Sequence, residues 1–357
     1  LEQDHLEYFM ADIYFSNPKP GAAPQGGYEP VYSKKPGRSG ARKFFLAVVS
    51  LLLIAAVALG GPYFYIYSLM DKTDYNRSGH KPNVYVDSSD LMRNDKVVNI
   101  LFIGVDTREQ DLASRSDTML LFSIDKINKK IKLTSFMRDT WVDIPGSGYA
   151  KLNAACTYGG AQLVMDTIEY NFNVEIDHYV LVDFDSFVKA VNGLGGVDVE
   201  ITESEAKYLR DKVHLETIQA GESVHLNGNQ ALWYCRIRKL DSDFMRTKRQ
   251  RKVITSLVGK AREESAWELT KLVKSVLPNV ETDMNPMVLT NFAFGAFFRY
   301  VRYDLEQARV PADGTWQDAT IKGQMVLKTD LGENRDMLED FLYAIDEETA
   351  STETQPQ

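Results

Sequence analysis

Cysteine is nearly absent: the 357 residues hold only Cys156 and Cys235. That excludes a disulfide framework and a cysteine-built zinc site. Nor does positive charge dominate. Lys and Arg number 41 against 50 Asp and Glu, for a net charge of -9 at pH 7. An acidic chain is poorly matched to a polyphosphate backbone, so no nucleic acid is expected as a partner. Common catalytic signatures are missing too: the sequence has no Walker A loop, no G-x-S-x-G and no H-E-x-x-H. The histidines are scattered, and His178 in "IDHYV" reads as a packed or capping residue.

Charge of either sign is absent from residues 44–70, "FFLAVVSLLLIAAVALGGPYFYIYSLM". The most apolar part, 44–67, is long enough to cross a hydrocarbon core of ~30 Å as a helix. Lys34, Lys35, Arg38, Arg42 and Lys43 precede it; tyrosines and then Asp71 follow. Basic residues stay on the cytoplasmic side and aromatic residues favour the membrane interface. The expected layout is a disordered cytoplasmic tail (1–43), one transmembrane helix (44–67), an extracellular stalk (68–96), an extracellular catalytic domain (97–345) and a disordered tail (346–357). The protein is thus expected in the cell membrane, single-pass, with its N-terminus cytoplasmic. The competing reading is a signal peptide cleaved after Ala56-Val-Ala58. It fits less well, because the apolar run continues past the alanines and follows a long polar leader.

The domain opens with "VVNILFIGVD", read as a buried strand ending at Asp106. "TMLLFSI" and "IKLTSFM", separated by the polar turn "DKINKK", predict an antiparallel hairpin. If the first strand pairs antiparallel with the second, one sheet edge collects Asp106, Arg115, Asp117, Arg138 and Asp139. Each alone reads as a solvated strand end; together they suggest a site for a charged ligand. Further on, "GGAQLVMDTIEYNF" places Leu163, Val164, Thr167 and Ile168 on one helical face. "DHYVLVDF" and "VDVEI" read as strands, with the short helix "DSFVKAVNGLGG" between them. Asn227 and Gln230 have capping-box spacing. A last helix carries Met337, Leu338, Phe341, Leu342 and Ile345 on one face. Strands alternating with helices predict an α/β fold: a three-layer sandwich with a central mixed β-sheet flanked by helices.

The stretch "YCRIRKLDSDFMRTKRQRKVI" is dense in basic residues within this acidic chain. Arg236 and Arg238 point to the same side if the segment is extended. Arg246, Arg249 and Gln250 share a face if theirs is helical; Lys248, Arg251 and Lys252 then read as solvated. Arginine forks match phosphate oxygens bidentately, and paired aspartates suit Mg2+. Arginines beside two aspartates therefore point to a phosphate ester bound with a divalent metal.

Taken in order, "NILFIGVDTR", "RSDTMLLFSID", "FMRDTWVDIPGSGYAKLNAA", "YGGAQL", "IDHYVLVDFDSFVKAVNGLGGVDV", "HLNGNQALWYCRIRK", "DFMRTKRQRKVI" and "PADGTWQDATIKGQMVL" resemble the LytR-CpsA-Psr family of bacterial cell-envelope proteins. The resemblance implies an apolar pocket for a polyprenyl chain. It also implies transfer of a glycopolymer from undecaprenyl pyrophosphate onto peptidoglycan, usually the 6-hydroxyl of N-acetylmuramic acid. By motif, Asp106 and Asp117 should hold Mg2+, and Arg115, Arg138, Arg236, Arg238, Arg246 and Gln250 should surround the pyrophosphate. Asp243 and Asp139 are the candidate bases. The alternatives are a polyprenyl pyrophosphate phosphatase and a non-catalytic lipid-binding regulator of envelope stress. Phe136-Met137 stands where the family commonly has Ile-Pro, which should alter packing and leave the chemistry unchanged. Cys156 and Cys235 lie beside presumed site segments. A disulfide is conceivable, but two buried thiols acting as small hydrophobes are the preferred reading.

Overall fold

The computed structural model describes residues 61–71, 76–77, 81–105 and 116–346, together with Ser50 and Gly79. The chain divides into two units, Leu1–Ala55 and Ala56–Gln357, and every element named below belongs to the second. The two expected tails and most of the expected transmembrane segment lie outside the described residues. Among the described residues no helix is long and apolar enough to cross a membrane.

In chain order, a helix over 61–71 (α1) leads to β1 (Asn76–Arg77), β2 (Val97–Val105), β3 (Ser116–Asp125) and β4 (Lys130–Phe136). The hairpin β5 (Trp141–Ile144) and β6 (Gly148–Lys151) precedes α2 (Ala154–Phe172), β7 (His178–Asp183) and α3 (Phe184–Gly193). Then come β8 (Val197–Ile201), α4 (Glu203–Val213), β9 (Gly221–Leu226) and α5 (Gly228–Cys235). The long α6 (Asp243–Glu263) is followed by α7 (Ala266–Val276), β10 (Val280–Thr282) and α8 (Pro286–Phe298). The chain continues through β11 (Asp304–Val310), the hairpin β12 (Trp316–Ile321) and β13 (Gln324–Thr329), and α9 (Leu331–Tyr343).

Seven strands form the main sheet in the order β1-β10-β7-β2-β3-β4-β11. The pairs β2/β3 and β3/β4 are antiparallel, as the hairpin reading requires, whereas β2/β7 and β4/β11 are parallel. The sheet is therefore mixed, with helices on both faces. Strand alternation sends Leu101, Ile103, Leu121 and Phe136 into a core closed by Val164, Ile168 and Phe172 of α2 and Leu338 and Leu342 of α9. The intervening residues Ile100, Phe102, Phe122 and Ile124 face α8, and Leu120, Ile131 and Leu133 pack near Ile254 of α6. A second core joins α3, α4 and α5 to the separate β8/β9 pair.

"VDVEI" is a strand as expected, and it pairs with β9 outside the main sheet. Two expectations need correction. Ile345 lies beyond the end of α9 and is exposed, so it does not extend that helix's buried face. Residues 68–96 are not simply a stalk. Asn76–Arg77 adds an edge strand beside β10, Met92 bridges Val174, and the Asn83 amide donates to Glu169 Oε2 at 3.0 Å. Phe136 and Met137 are both buried, and Phe136 packs its ring on Phe172 at 5.4 Å. Cys156 and Cys235 are buried free thiols; burial raises their pKa to about 11 and about 12.

Candidate active site

Asp117 is the second residue of β3, and two guanidinium groups hold its carboxylate. Arg138 Nη1 donates to Oδ1 at 2.9 Å, and Arg238 Nη2 lies 2.5 Å from Oδ2. Arg246 Nη2 donates to the Asp117 backbone carbonyl at 3.2 Å. Gln250, one turn along α6, donates from Nε2 to Thr118 Oγ1 at 2.9 Å. Four of the arginine and glutamine candidates thus meet at the start of β3. The helical condition on Arg246 and Gln250 is met by α6, which Ser242 caps by accepting from the Met245 N–H.

Arg138 follows the last two apolar residues of the β4 segment, where the chain turns. The Met137 carbonyl accepts from both the Thr140 N–H (3.1 Å) and the Thr140 hydroxyl (2.7 Å). The Asn153 N–H donates to the Arg138 carbonyl at 3.1 Å, and the Leu327 N–H to the Asp139 carbonyl at 2.9 Å. Those bonds fix the backbone of Arg138 and Asp139 between the β5/β6 hairpin and the β12/β13 hairpin. On the side-chain level, Arg138 Nε sits 3.5 Å from both Asp139 and Asp243. Asp243, in the first turn of α6, receives Arg246 through Nη1 at 2.8 Å and Nη2 at 2.9 Å.

Sequence reasoning missed Lys151. Its ammonium lies 2.7 Å from Asp139 Oδ1, because β6 pairs Lys151 opposite Trp141. The signal was the tight turn in "DIPGSGY": Gly146 and Gly148 adopt φ of +73° and +76°, which L side chains rarely adopt. A two-strand hairpin there necessarily returns Lys151 to the segment it left.

Arg236 caps the C-terminus of α5 with φ -97° and ψ 2°, so the Arg236–Arg238 segment is not extended at its start. Its guanidinium lies over the rings of Phe184 (4.6 Å) and Trp233 (5.2 Å), and Arg238 reaches Asp117. Arg249 serves the second core, buried against Glu205, Asp241 and the Ile237 carbonyl. Arg251, expected to be solvated, is half-buried and bonds Ser135 Oγ and Gln307 Oε1. Lys252 does face outward, paired with Glu200. His178 is packed as expected, with Nδ1 3.2 Å from Asp283 and its ring edge-on to Phe292. Asp106 and Arg115 lie outside the described residues.

The electrostatics divide the carboxylates. Burial alone would raise the Asp117 pKa, but Arg238, Arg138 and Arg246 outweigh it and hold the carboxylate below its usual range. At Asp243 burial wins over the attraction of Arg246 and Arg138, and the pKa is raised. Arg246 is so buried that desolvation brings its pKa down to about 10, which leaves it charged at neutral pH. Among the described residues, Nε of Arg246 has no hydrogen-bond partner, and Nε of Arg138 has only the two 3.5 Å ion-pair contacts to Asp139 and Asp243. A desolvated guanidinium N–H left unpaired is costly unless a ligand oxygen takes it up. Among the described residues, four cations (Arg138, Lys151, Arg238, Arg246) share this space with three carboxylates (Asp117, Asp139, Asp243).

Among the described residues no group of three or more His, Cys, Asp or Glu could hold a metal ion. Asp117 nonetheless fits a hard divalent ion in donor chemistry, since its neighbours keep it ionised and such ions take carboxylate oxygens.

The chain is thus a mixed α/β sandwich with guanidiniums gathered at one edge of its main sheet. Residues 63–340 match the LytR_cpsA_psr family, and the chain belongs to it. Among curated relatives, the polyisoprenyl-teichoic acid–peptidoglycan teichoic acid transferase TagU of Halalkalibacterium halodurans is 31% identical over 290 residues, covering 77% of this chain and 90% of TagU. Two solved structures share the fold. TagT bound to LIIa-WTA superposes with TM-score 0.62 at 24% identity, covering 75% of this chain and 99% of TagT. YwtF (TagT) with bound octaprenyl pyrophosphate lipid gives TM-score 0.57 at 23% identity, covering 75% and 99%.

Proposed function

We propose that this protein is a phosphotransferase that moves a glycopolymer from an undecaprenyl pyrophosphate carrier to peptidoglycan, at the 6-hydroxyl of N-acetylmuramic acid. It works from the outer face of the cell membrane with its N-terminus in the cytoplasm, anchored by the apolar run from residue 44 up to the start of α1, since residues 61–67 of the expected span pack in α1 against the domain. The observation that carries this reading is the cationic cluster around Asp117, in which Nε of Arg138 and Nε of Arg246 are buried without a hydrogen bond among the described residues. A pyrophosphate supplies acceptor oxygens for them. Relatives named as teichoic acid transferases and a same-fold protein holding octaprenyl pyrophosphate support the choice of substrate class.

In the proposed reaction the acceptor hydroxyl attacks the phosphorus nearer the glycan. A new O–P bond forms, the bond from that phosphorus to the bridging oxygen breaks, and polyprenyl phosphate leaves. Arg138, Arg238 and Arg246 neutralise charge on the transferring and leaving oxygens, the main requirement of phosphoryl transfer. Asp243 receives the hydroxyl proton, since its raised pKa favours a base that binds the proton strongly. Lys151 and Arg138 hold Asp139, which makes that carboxylate an orienting partner and the weaker candidate for the base. Magnesium, held by Asp106 and Asp117, would supply further charge neutralisation on the pyrophosphate. The polyprenyl chain would lie along the sheet face bearing Phe102 and Phe122, which the helices leave incompletely covered.

The test combines full-length protein in detergent micelles with lipid-linked glycan donors, peptidoglycan oligomers and magnesium. Mass spectrometry should find glycan joined to the oligomer through a phosphodiester. Released glycan phosphate without a joined product would make the protein a phosphatase. Intact donor bound without turnover, with or without magnesium, would make it a regulator.

A further inference from the structure

Phe64, Tyr65, Trp267, Met287 and Phe298 each expose about half or more of their surface, although all five are large and apolar. They lie on three packed neighbours, α1, α7 and α8. Tyr65 stacks on Trp267 at 6.1 Å, Tyr63 meets Phe294 edge-on at 5.7 Å, and Phe294 continues to Phe298 at 4.4 Å. Ile66 and Met70 of α1 are buried against Leu277 and Val280, with Leu289, Ala293 and Phe294 beside them. The Tyr63 hydroxyl donates to Asn291 Oδ1 at 2.8 Å, which ties α1 to α8. The thirteen residues of α8, "PMVLTNFAFGAFF", contain no charge. Soluble surfaces rarely present so much contiguous aromatic area without something to cover it.

We infer that this aromatic face seats on an anionic lipid leaflet and holds the domain at a fixed depth in the membrane interface. The inference rests on the proposed anchor, whose apolar run continues in sequence directly into α1, so the exposed face starts where the chain would leave the bilayer. Mixed Trp, Tyr and Phe residues suit the headgroup boundary, where a ring is partly apolar and partly wet. Exposed cations accompany the rings: Arg299 and Arg302 follow Phe298 in the chain, and Lys271, paired with Glu268 at 2.8 Å, lies over Trp267 at 5.6 Å. Such residues attract anionic headgroups at close range. A leaflet fits the position better than a second copy of the chain does, because the anchor already brings lipid to this face. Docking here would also limit how far the lipid-linked donor must rise to reach Arg138.

Full-length protein reconstituted into phosphatidylglycerol–phosphatidylcholine vesicles, with bromine on shallow acyl positions, tests the inference. Trp267 is one of four tryptophans, so up to about a quarter of the emission should be quenched through it. Trp267→Phe should remove most of that quenching. Met287→Ser with Phe298→Ser should reduce it severalfold while the melting temperature holds, because both side chains are already exposed. Replacing phosphatidylglycerol with neutral lipid should weaken it as well. Protein that floats with the vesicles yet is quenched equally with and without Trp267 overturns the docking face and leaves the anchor standing. Protein that does not float overturns the anchor and the docking face together. Concentration-dependent dimerisation through Trp267, with no quenching, would assign the face to a second copy and overturn the lipid reading.

Discussion

The two faces of the main sheet come from alternate residues of the same strands, yet they are covered unequally. On one face Leu101, Ile103 and Leu121 are fully buried under α2 and α9. On the other, Phe102 and Phe122, with rings 6.0 Å apart, remain only partly buried between α6 and α8. Both faces are apolar, so hydropathy alone does not separate them. The difference lies in the helices. α2 and α9 present aliphatic and aromatic side chains that interdigitate to close packing, as interiors do. α6 turns Arg246 and Gln250 to the sheet edge and leaves few apolar residues, such as Ile254, for the face itself. One face thus supplies stability; the other keeps apolar surface within reach of the charged rim.

The largest effect expected is on the sealed face. Leu121→Ala should lower stability by about 3–5 kcal/mol, the cost of lost transfer energy plus a cavity that packed neighbours cannot close. Phe122→Ala, its neighbour on the open face, should cost less than half as much despite removing a larger ring. Urea unfolding of the two variants decides it: equal losses would mean that the open face is sealed in solution.

At the rim the expected loss is in rate. Arg138→Lys keeps a positive charge and loses the planar fork that reaches Asp117 and faces Asp139 and Asp243. A charge-assisted hydrogen bond contributes about 1.5–3 kcal/mol. Made mainly in the transition state, its loss slows transfer about tenfold to a hundredfold. The melting temperature should stay near that of the wild type. A Lys variant with an unchanged rate would reduce Arg138 to diffuse positive charge.

For the lipid, Phe102→Ala should weaken binding of a polyprenyl pyrophosphate about tenfold, the equivalent of about 1.4 kcal/mol for part of a ring's buried area. Leu101→Ala, one residue away and facing α2, should leave affinity per folded molecule unchanged. Calorimetric titration with a short-chain polyprenyl pyrophosphate compares them, and matching losses would move the lipid off the open face.

How much of this was legible follows from what each feature depends on. The β3/β4 hairpin needed only a short turn and alternation, whereas the antiparallel β2/β3 pairing across residues 106–115 stood as a condition of the reading, which the structure meets. The capping box at Asn227 and Gln230 is local and was equally visible. Lys151 was not read because its position depends on a hairpin register, and the extended reading of the Arg236–Arg238 segment did not hold at its start because that depends on where α5 ends. Arg249 looked like a companion of Arg246 on one helical face, but its partner, Glu205, is 44 positions away in sequence. The outer strands β1, β10 and β11 pair through contacts of still greater sequence separation, which no local pattern encodes. Partial burial of Phe102 and Phe122 belongs to the same class, since it depends on what α6 and α8 fail to cover.

The smallest effect concerns a polar pin on the sealed side. Glu169 of α2 is buried, with Oε1 accepting from the Ile176 N–H at 2.9 Å and Oε2 from Asn83 at 3.0 Å. No cation pairs with it among the groups that set its pKa; Asp166 and Glu175 add repulsion. Burial, the main cause, raises its pKa to about 7. An acid whose pKa is raised in the fold binds its proton more tightly folded than unfolded, so stability falls as pH rises from about 4.5 towards 7. The contribution is full below that window and lost above it. Glu169→Gln keeps one of the two acceptor positions and cannot ionise. It should therefore stabilise the protein by about 1 kcal/mol at pH 8 and change little or slightly destabilise it at pH 5, a discount on the full linkage value because one acceptor is lost. Thermal melts at the two pH values give the comparison. A variant equally destabilised at both would show that Glu169 remains ionised in the fold, and the strap at Asn83 would then be held by a charged acceptor.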